Sequence, residues 1–412
     1  MPSALIWIIS LASISLMLLR PRGFPEWVWI CSGALLLVAA GLLPPNAAAH
    51  AVREGLDVCL FLAGMMILAE LAREEGVFDW VADIAIRHAR GSARRLFFWV
   101  YLSGVVVTAF LSNDATAVVL TPAVLAAVRR AKVEARPHLL ACAMVANAAS
   151  FLLPIANPAN LVVFGTHLPP LGSWLRHLLL PSVASVAATY LCLLFLSRPA
   201  LAQATAVAAE PRALTPGGRL ALAGIGIASA GLLVSSGLGI QLGAPTCAAG
   251  AFAMVLVAVR DRRAPLTAIR NVAWSVLPLV AGLFMIVEAL NRAGLLRLTL
   301  LGLRGLASMP GGAGRLIGAG TVALLSNGMN NLPVALAAGS ALRQLGHHGA
   351  LAHAVLIGVD LGPNLSVTGS LATILWLIAL RRDGEEISAG EFLKAGAVAM
   401  PVALLLALLA LR

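Results

Sequence analysis

Ala63-Gly64-Met65-Met66-Ile67-Leu68-Ala69-Glu70 returns 218 residues later as Ala281-Gly282-Leu283-Phe284-Met285-Ile286-Val287-Glu288. Gly76 and Gly294 keep the same offset. Further along, Leu111-Ser112-Asn113 pairs with Leu325-Ser326-Asn327 at an offset of 214, and Asn147 and Asn157 fall opposite Asp360 and Ser370 at 213. Small loop insertions and deletions produce such a drift. The chain therefore reads as two homologous halves, 1–200 and 217–412, joined by a polar linker at 201–216.

What kind of molecule carries this repeat follows from composition. Of 412 residues, 60% are hydrophobic and only 11% are charged, against roughly 25% in a soluble domain. A water-soluble body of this size could not cover its surface with so few charges, so the chain reads as an all-α polytopic membrane protein. The net charge of +11 does not point to nucleic acid. Its cations are scattered in short loops, and all but Lys132 and Lys394 are Arg. Neither Lys follows a Gly, so the phosphate-cradling G-x-x-x-x-G-K-[ST] motif is missing. The five Cys form no C-x-x-C, and the eight His form no H-E-x-x-H. No catalytic residue, metal site or cofactor is expected.

A spanning helix needs about 20 mostly apolar residues. Several uncharged runs have the wrong shape for one simple span. Runs 96–113 and 115–128 meet at Ser112-Asn113-Asp114, and run 316–342 contains Ser326-Asn327-Gly328. Pro154 and Pro158 interrupt one run, and Pro363 and Gly369 another. Helix-breaking backbone at membrane depth is tolerated only where it is buried in protein or lines a cavity, and matched interruptions in two halves point to a transporter site. Each half thus reads as three spans, a short amphipathic segment, a re-entrant hairpin, a broken span and a last span. The hairpin tips are expected near 112–114 and 326–328, and the breaks near 154–160 and 363–370. Five crossings per half force the halves into opposite orientations, an inverted repeat. The run 1–19 has no preceding charge, unlike a secretory signal. Starting it outside places 21 of the 29 cations in the cytoplasm and both termini outside. Residues 77–90 set Val77, Trp80, Val81 and Ile84 against Asp79, Asp83 and Arg90, which suggests an interfacial helix. The segment 295–306 is its leucine-rich counterpart.

The interruptions supply the candidate solute site. Ser112, Asn113, Ser326 and Asn327 at the tips, with Asn330 beyond the second, offer hydroxyls and amides near the midplane. Asn157, Asn160, Thr368 and Ser370 at the breaks add more, and Pro158 frees backbone groups there. Ser, Asn and Asp are also preferred helix N-caps, a role compatible with lining a site. Asp114 and Asp360 are the intramembrane acids. A carboxylate at such depth costs a few kcal/mol and marks function by default, while a desolvated carboxyl can carry a proton. These two are the candidates for proton coupling. Glu70 and Glu288 sit near helix ends and read as snorkelling side chains.

At these residues the sequence resembles the ArsB-type arsenical pump membrane proteins, within the wider ion-transporter superfamily that includes divalent-anion and dicarboxylate symporters. The similarity is strongest over Leu356-Ile357-Gly358-Val359-Asp360-Leu361-Gly362-Pro363-Asn364 and Gly369-Ser370-Leu371-Ala372-Thr373. Phe61 to Met66, Asn113-Asp114 with Leu120-Thr121-Pro122, and Met329-Asn330-Asn331-Leu332-Pro333 also match, so it covers nearly the whole chain. The resemblance implies efflux of arsenite and antimonite across the inner membrane, by proton antiport or the membrane potential, in some systems with a cytoplasmic ATPase subunit. It also implies a scaffold part and a moving part in each half. Sodium-coupled relatives carry Ser-Asn-Thr at both tips, where this chain has Asp114 and Gly328. Pro154-Ile155-Ala156-Asn157-Pro158-Ala159-Asn160 leans toward the anion-permease pattern. A sodium- or proton-coupled permease for inorganic anions or dicarboxylates is therefore the alternative.

Overall fold

The computed structural model describes residues 2–165, 168–202, 213–261, 266–346 and 349–411. Most of the expected linker, together with His167, His347 and His348, lies outside the described residues. Every regular element among those described is helical. The first half contains α1 (Pro2–Leu19), α2 (Glu26–Ala39), α3 (Pro45–Glu54), α4 (Leu56–Glu74), α5 (Val77–Ala89), α6 (Ala93–Phe110), α7 (Asn113–Ala115), α8 (Thr121–Arg130), α9 (Ala135–Ala148), α10 (Pro158–Phe164) and α11 (Leu171–Leu196). The second contains α12 (Pro216–Gly237), α13 (Gly243–Asp261), α14 (Leu266–Asn271), α15 (Val276–Arg292), α16 (Leu295–Ala307), α17 (Ala313–Met329), α18 (Asn331–Gln344), α19 (Ala350–Leu361), α20 (Leu371–Arg382) and α21 (Ala389–Ala410).

Among the described residues five helical stretches are long and apolar enough to cross a membrane: Ala93–Phe110, Leu171–Leu196, Pro216–Gly237, Thr267–Arg292 (α14 and α15 together) and Ala389–Ala410. Counting α3 and α4, bent by 44°, as one span makes six. The other expected crossings are shorter apolar helices or pairs of half-helices, α9 with α10 and α19 with α20, interrupted as the prolines require. Phe98, Leu102, Val106 and Phe110 form an exposed apolar stripe on α6, and Leu180, Val183, Leu191 and Phe195 do so on α11. Bare apolar faces of this kind belong against lipid chains.

The repeated residues recur at equivalent places. Gly76 and Gly294 precede α5 and α16 with φ of 71° and 106°, a conformation that glycine adopts without a Cβ clash. Gly64 and Gly282 are points of close helix approach. A Cβ on Gly64 would stand 2.3 Å from the Thr246 carbonyl oxygen on α13, and one on Gly282 would stand 2.8 Å from the Ile30 side chain on α2. α4 therefore packs along α13, and α15 along α2. α4 and α15 themselves pass antiparallel: Gly55 lies under the Phe284 ring, whereas Cys59 Sγ, further along α4, points to the carbonyl of Leu277, at the start of α15.

Two expectations change. The first hairpin breaks at Ser112, which is extended and accepts a hydrogen bond from Ala115 N–H. The second does not break at Ser326-Asn327. α17 runs through both, because their side chains bond back to the Val322 and Ala323 carbonyls one turn earlier. The chain turns at Asn330, whose φ of 72° Asn tolerates better than most residues. Pro333 then occupies the first turn of α18, where a missing N–H costs little. The structural partner of Ser112 is thus Asn330, at an offset of 218 rather than 214. The segment 77–90 is helical as expected, but its buried face carries Val77, Phe78, Ala82, Ala85 and Ile86 instead of Trp80, Val81 and Ile84. Asp83 turns inward with them because Arg130 meets it at 2.6 Å.

Candidate functional site

Four helical segments begin around one narrow cleft of about 280 Å³. The return arm of the first hairpin starts at Asn113, and α18 starts at Asn331. α10 is capped by Asn157, whose Oδ1 accepts from Ala159 N–H, and α20 by Ser370, whose Oγ accepts from Thr373 N–H. Asn113, Asn157, Asn331 and Ser370 all line the cleft, beside Asp114, Pro158, Leu332, Leu371 and Ala372. Leu62 of α4 and Val276 of α15 close the opposite wall. The N-terminal ends of helices carry unpaired N–H groups and partial positive charge, which suits oxygen-rich solutes. The first arm also contains a π-helical turn, Thr116–Leu120, directly after Asp114. Thr121 Oγ1 donates to the Thr116 carbonyl across it.

Two larger vestibules are lined by the same or neighbouring helices. One, of about 1310 Å³, is lined by Met65, Met66 and Glu70 of α4, by Ser112, Asp114 and Val118, and by Leu375, Ile378 and Arg382 of α20. The other, of about 780 Å³, is lined by Phe284 and Glu288 of α15, Leu336, Ser340 and Arg343 of α18, and Leu161 and Val162 of α10. Many of these residues are repeat partners: Met66 with Phe284, Glu70 with Glu288, Val118 with Leu336. Asp114 and Val276 belong to both the cleft and the larger vestibule, whereas no described residue is shared with the smaller one. On that side Arg343 closes the wall, donating to the Val162 and Val163 carbonyls at the end of α10.

The other sequence candidates do different work. Ser112 caps its arm and faces the larger vestibule. Asn160 donates to the carbonyls of Ser150, Leu153 and Pro154, which holds the first break in shape. Asn327 does the same for the second break. Its Nδ2 donates to the Gly362 carbonyl, its Oδ1 accepts from Ser366, and its carbonyl accepts from Thr368. Ser326 bonds only within α17. Asn330 caps α18 through Leu332 N–H, and neither it nor Thr368 lines the cleft. Asp360 is fully buried, lines neither the cleft nor either vestibule and accepts from Asn157 Nδ2 at 2.9 Å. Sequence reasoning missed Asn331, Leu62, Val276 and Leu332 as lining residues. The signal for Asn331 was present, since it stands 218 residues after Asn113.

The lining groups are amides, one hydroxyl, one carboxyl and helix ends. Among the described residues no group of three or more His, Cys, Asp or Glu is gathered to hold a metal ion. Such a lining is suited to a small polar solute and offers no nucleophile–base pair. The citrate transporter family profile matches residues 6–359. The chain belongs to that family. The arsenical pump membrane protein of Yersinia enterocolitica is 31% identical over 84% of each chain. The protein of the same name from Escherichia coli K12 is 29% identical over 97% of this chain and 96% of its own. Among solved structures, the Alcanivorax borkumensis YdaH transporter superposes with a TM-score of 0.59, covering 93% of this chain and 96% of its own at 18% identity, a likeness of fold. As a member of the citrate transporter family the protein is a multi-pass membrane transporter and not an enzyme.

Proposed function

We propose that this transporter exports arsenite and antimonite from the cytoplasm in exchange for protons. The observation that carries the reading is the charge of the cleft. Asn113, Asn157, Asn331 and Ser370 line it, Asp114 is its one carboxyl, and no Lys or Arg reaches it among the described residues. Arsenite at neutral pH is a small uncharged trihydroxide, for which amides and hydroxyls are sufficient partners. A tricarboxylate would meet the Asp114 carboxylate with no cation to offset it. The relatives named arsenical pump membrane proteins support the same substrate class. Asp114 is the proton carrier in this scheme, because it stands where the cleft joins the larger vestibule. The halves 1–200 and 217–412 form an inverted repeat, supported by the recurring helix order and the antiparallel passage of α4 and α15. Both termini lie outside, and the larger vestibule, rimmed by Arg20 and Arg382, opens to the cytoplasm. A cytoplasmic ATPase subunit is an optional partner.

Counterflow in reconstituted vesicles tests the reading: labelled arsenite should exchange, and labelled citrate or sulfate should not. Exchange of sulfate or a labelled dicarboxylate without arsenite would support the second reading, a permease for inorganic anions or dicarboxylates. That reading draws on the family match and on the convergence of helix N-termini, which can hold an anion without a cationic side chain.

A further inference from the structure

Two hydrogen bonds cross between the halves just behind the cleft. Asn157 Nδ2 donates to Asp360 Oδ1 at 2.9 Å, and Ser370 Oγ donates to Asn147 Oδ1 at 3.5 Å. They are the same contact made twice, since Asn147 and Asp360 are 213 residues apart, as are Asn157 and Ser370. In each, the capping residue of the second half-helix of one break reaches the last turn of the helix before the other break. All four side chains are at most 1% exposed.

Asp360 is held in place by its own helix. Gly358 of α19 and Gly362, just past its end, lie against the backbone of α17: a Cβ on either would stand within 2.5 Å of the Ala319 or Ala323 carbonyl oxygen. Asp360, midway between them in sequence, points from the opposite face of α19. The Asn157 amide is thereby committed at both ends. Its Oδ1 accepts from Ala159 N–H, and one Nδ2 hydrogen goes to Asp360. One N–H remains, and Asn157 lines the cleft. An amide free to flip would present a donor or an acceptor there, whereas this one presents a donor only.

We propose that Asp360 is a positioning residue: it orients Asn157 as an N–H donor to the solute, and with Asn147 on Ser370 it ties the two breaks into one unit. The role asks of Asp360 an acceptor oxygen, not a transferable proton. The proposal rests on the cleft being the solute site. In proteoliposomes, Asp360→Ala should raise the half-saturating arsenite concentration about tenfold with the maximal exchange rate nearly unchanged, as expected for loss of one buried hydrogen bond. Asp360→Asn, which keeps an acceptor, should recover most of that affinity and the wild-type pH profile of accumulation. Once Asn157 is already Ala, Asp360→Ala should add nothing. Additive costs in that cycle would overturn the proposal. So would an Asp360→Asn protein that exchanges arsenite normally but loses pH-driven accumulation, which would make Asp360 a proton carrier. Melting temperatures of the same four proteins supply a substrate-independent arm. Non-additive melting with wild-type protein that exchanges no arsenite would sink the substrate reading and keep the brace, whereas additive melting would remove the brace itself.

Discussion

Asp114 is the residue at which the two halves part company. Its repeat partner by structure is Leu332, so two otherwise similar helix starts bring one carboxyl to the cleft. The Asp114 side chain also faces the larger vestibule and is partly accessible. It can thus exchange a proton with water on that side while facing the solute on the other. Acid inside everted vesicles should drive arsenite inward, because protons leaving through the protein are exchanged for substrate entering. Asp114→Asn should abolish that accumulation while leaving arsenite exchange within about fivefold, the loss of one hydrogen bond. Undiminished accumulation by both this protein and Asp360→Asn would assign the driving force to the membrane potential or to a partner subunit.

At the level of elements, the helix breaks are held by side chains that never meet the solute. Asn327, in the last turn of α17, clasps the loop 362–369 through Gly362, Ser366 and Thr368. Asn113, one of the cleft amides, uses its Oδ1 on its own Asp114 N–H. Truncating the two should therefore have opposite signatures. Asn327→Ala leaves part-buried partners unpaired and should cost about 3 kcal/mol of stability, read from thermal melting in detergent. Asn113→Ala should melt close to wild type and raise the half-saturating substrate concentration about fivefold. Equal melting of the two proteins would remove the distinction between clasp and lining.

Across the whole molecule, the pseudo-equivalent vestibules differ in size and in their connection to the cleft. The larger joins it at Asp114, and the smaller is closed off near Leu336 and Arg343. On the inverted-repeat proposal, transport requires the converse state, in which the smaller vestibule reaches the cleft. With the five native cysteines replaced, a cysteine at Ile378 should react with a membrane-impermeant maleimide from the cytoplasmic side only. A cysteine at Ser340 should react from the outside only. Labelling of both from one side would contradict the proposed orientation.

The sequence alone was enough to determine the membrane class, the helical fold and the two breaks, because each rests on composition or on proline, glycine and polar residues interrupting apolar runs. It also held Asn113, Asn157 and Ser370 as lining residues, since helix-starting amides and hydroxyls at such breaks have few other places to point. What it could not decide was which polar residue near a break faces the solute and which faces the backbone. Ser326-Asn327 matched Ser112-Asn113 letter for letter, yet the helix continues for another turn there. Asn330 takes the corner because Asn accepts a positive φ, and Pro333 fits the first turn of α18, which begins at Asn331. Asp360 looked like a charge in search of a function, and packing of Gly358 and Gly362 on α17 turned it toward Asn157 instead of the cleft. Helix rotation and the exact residue of a break are set by contacts between segments hundreds of residues apart, and a local pattern holds no record of them.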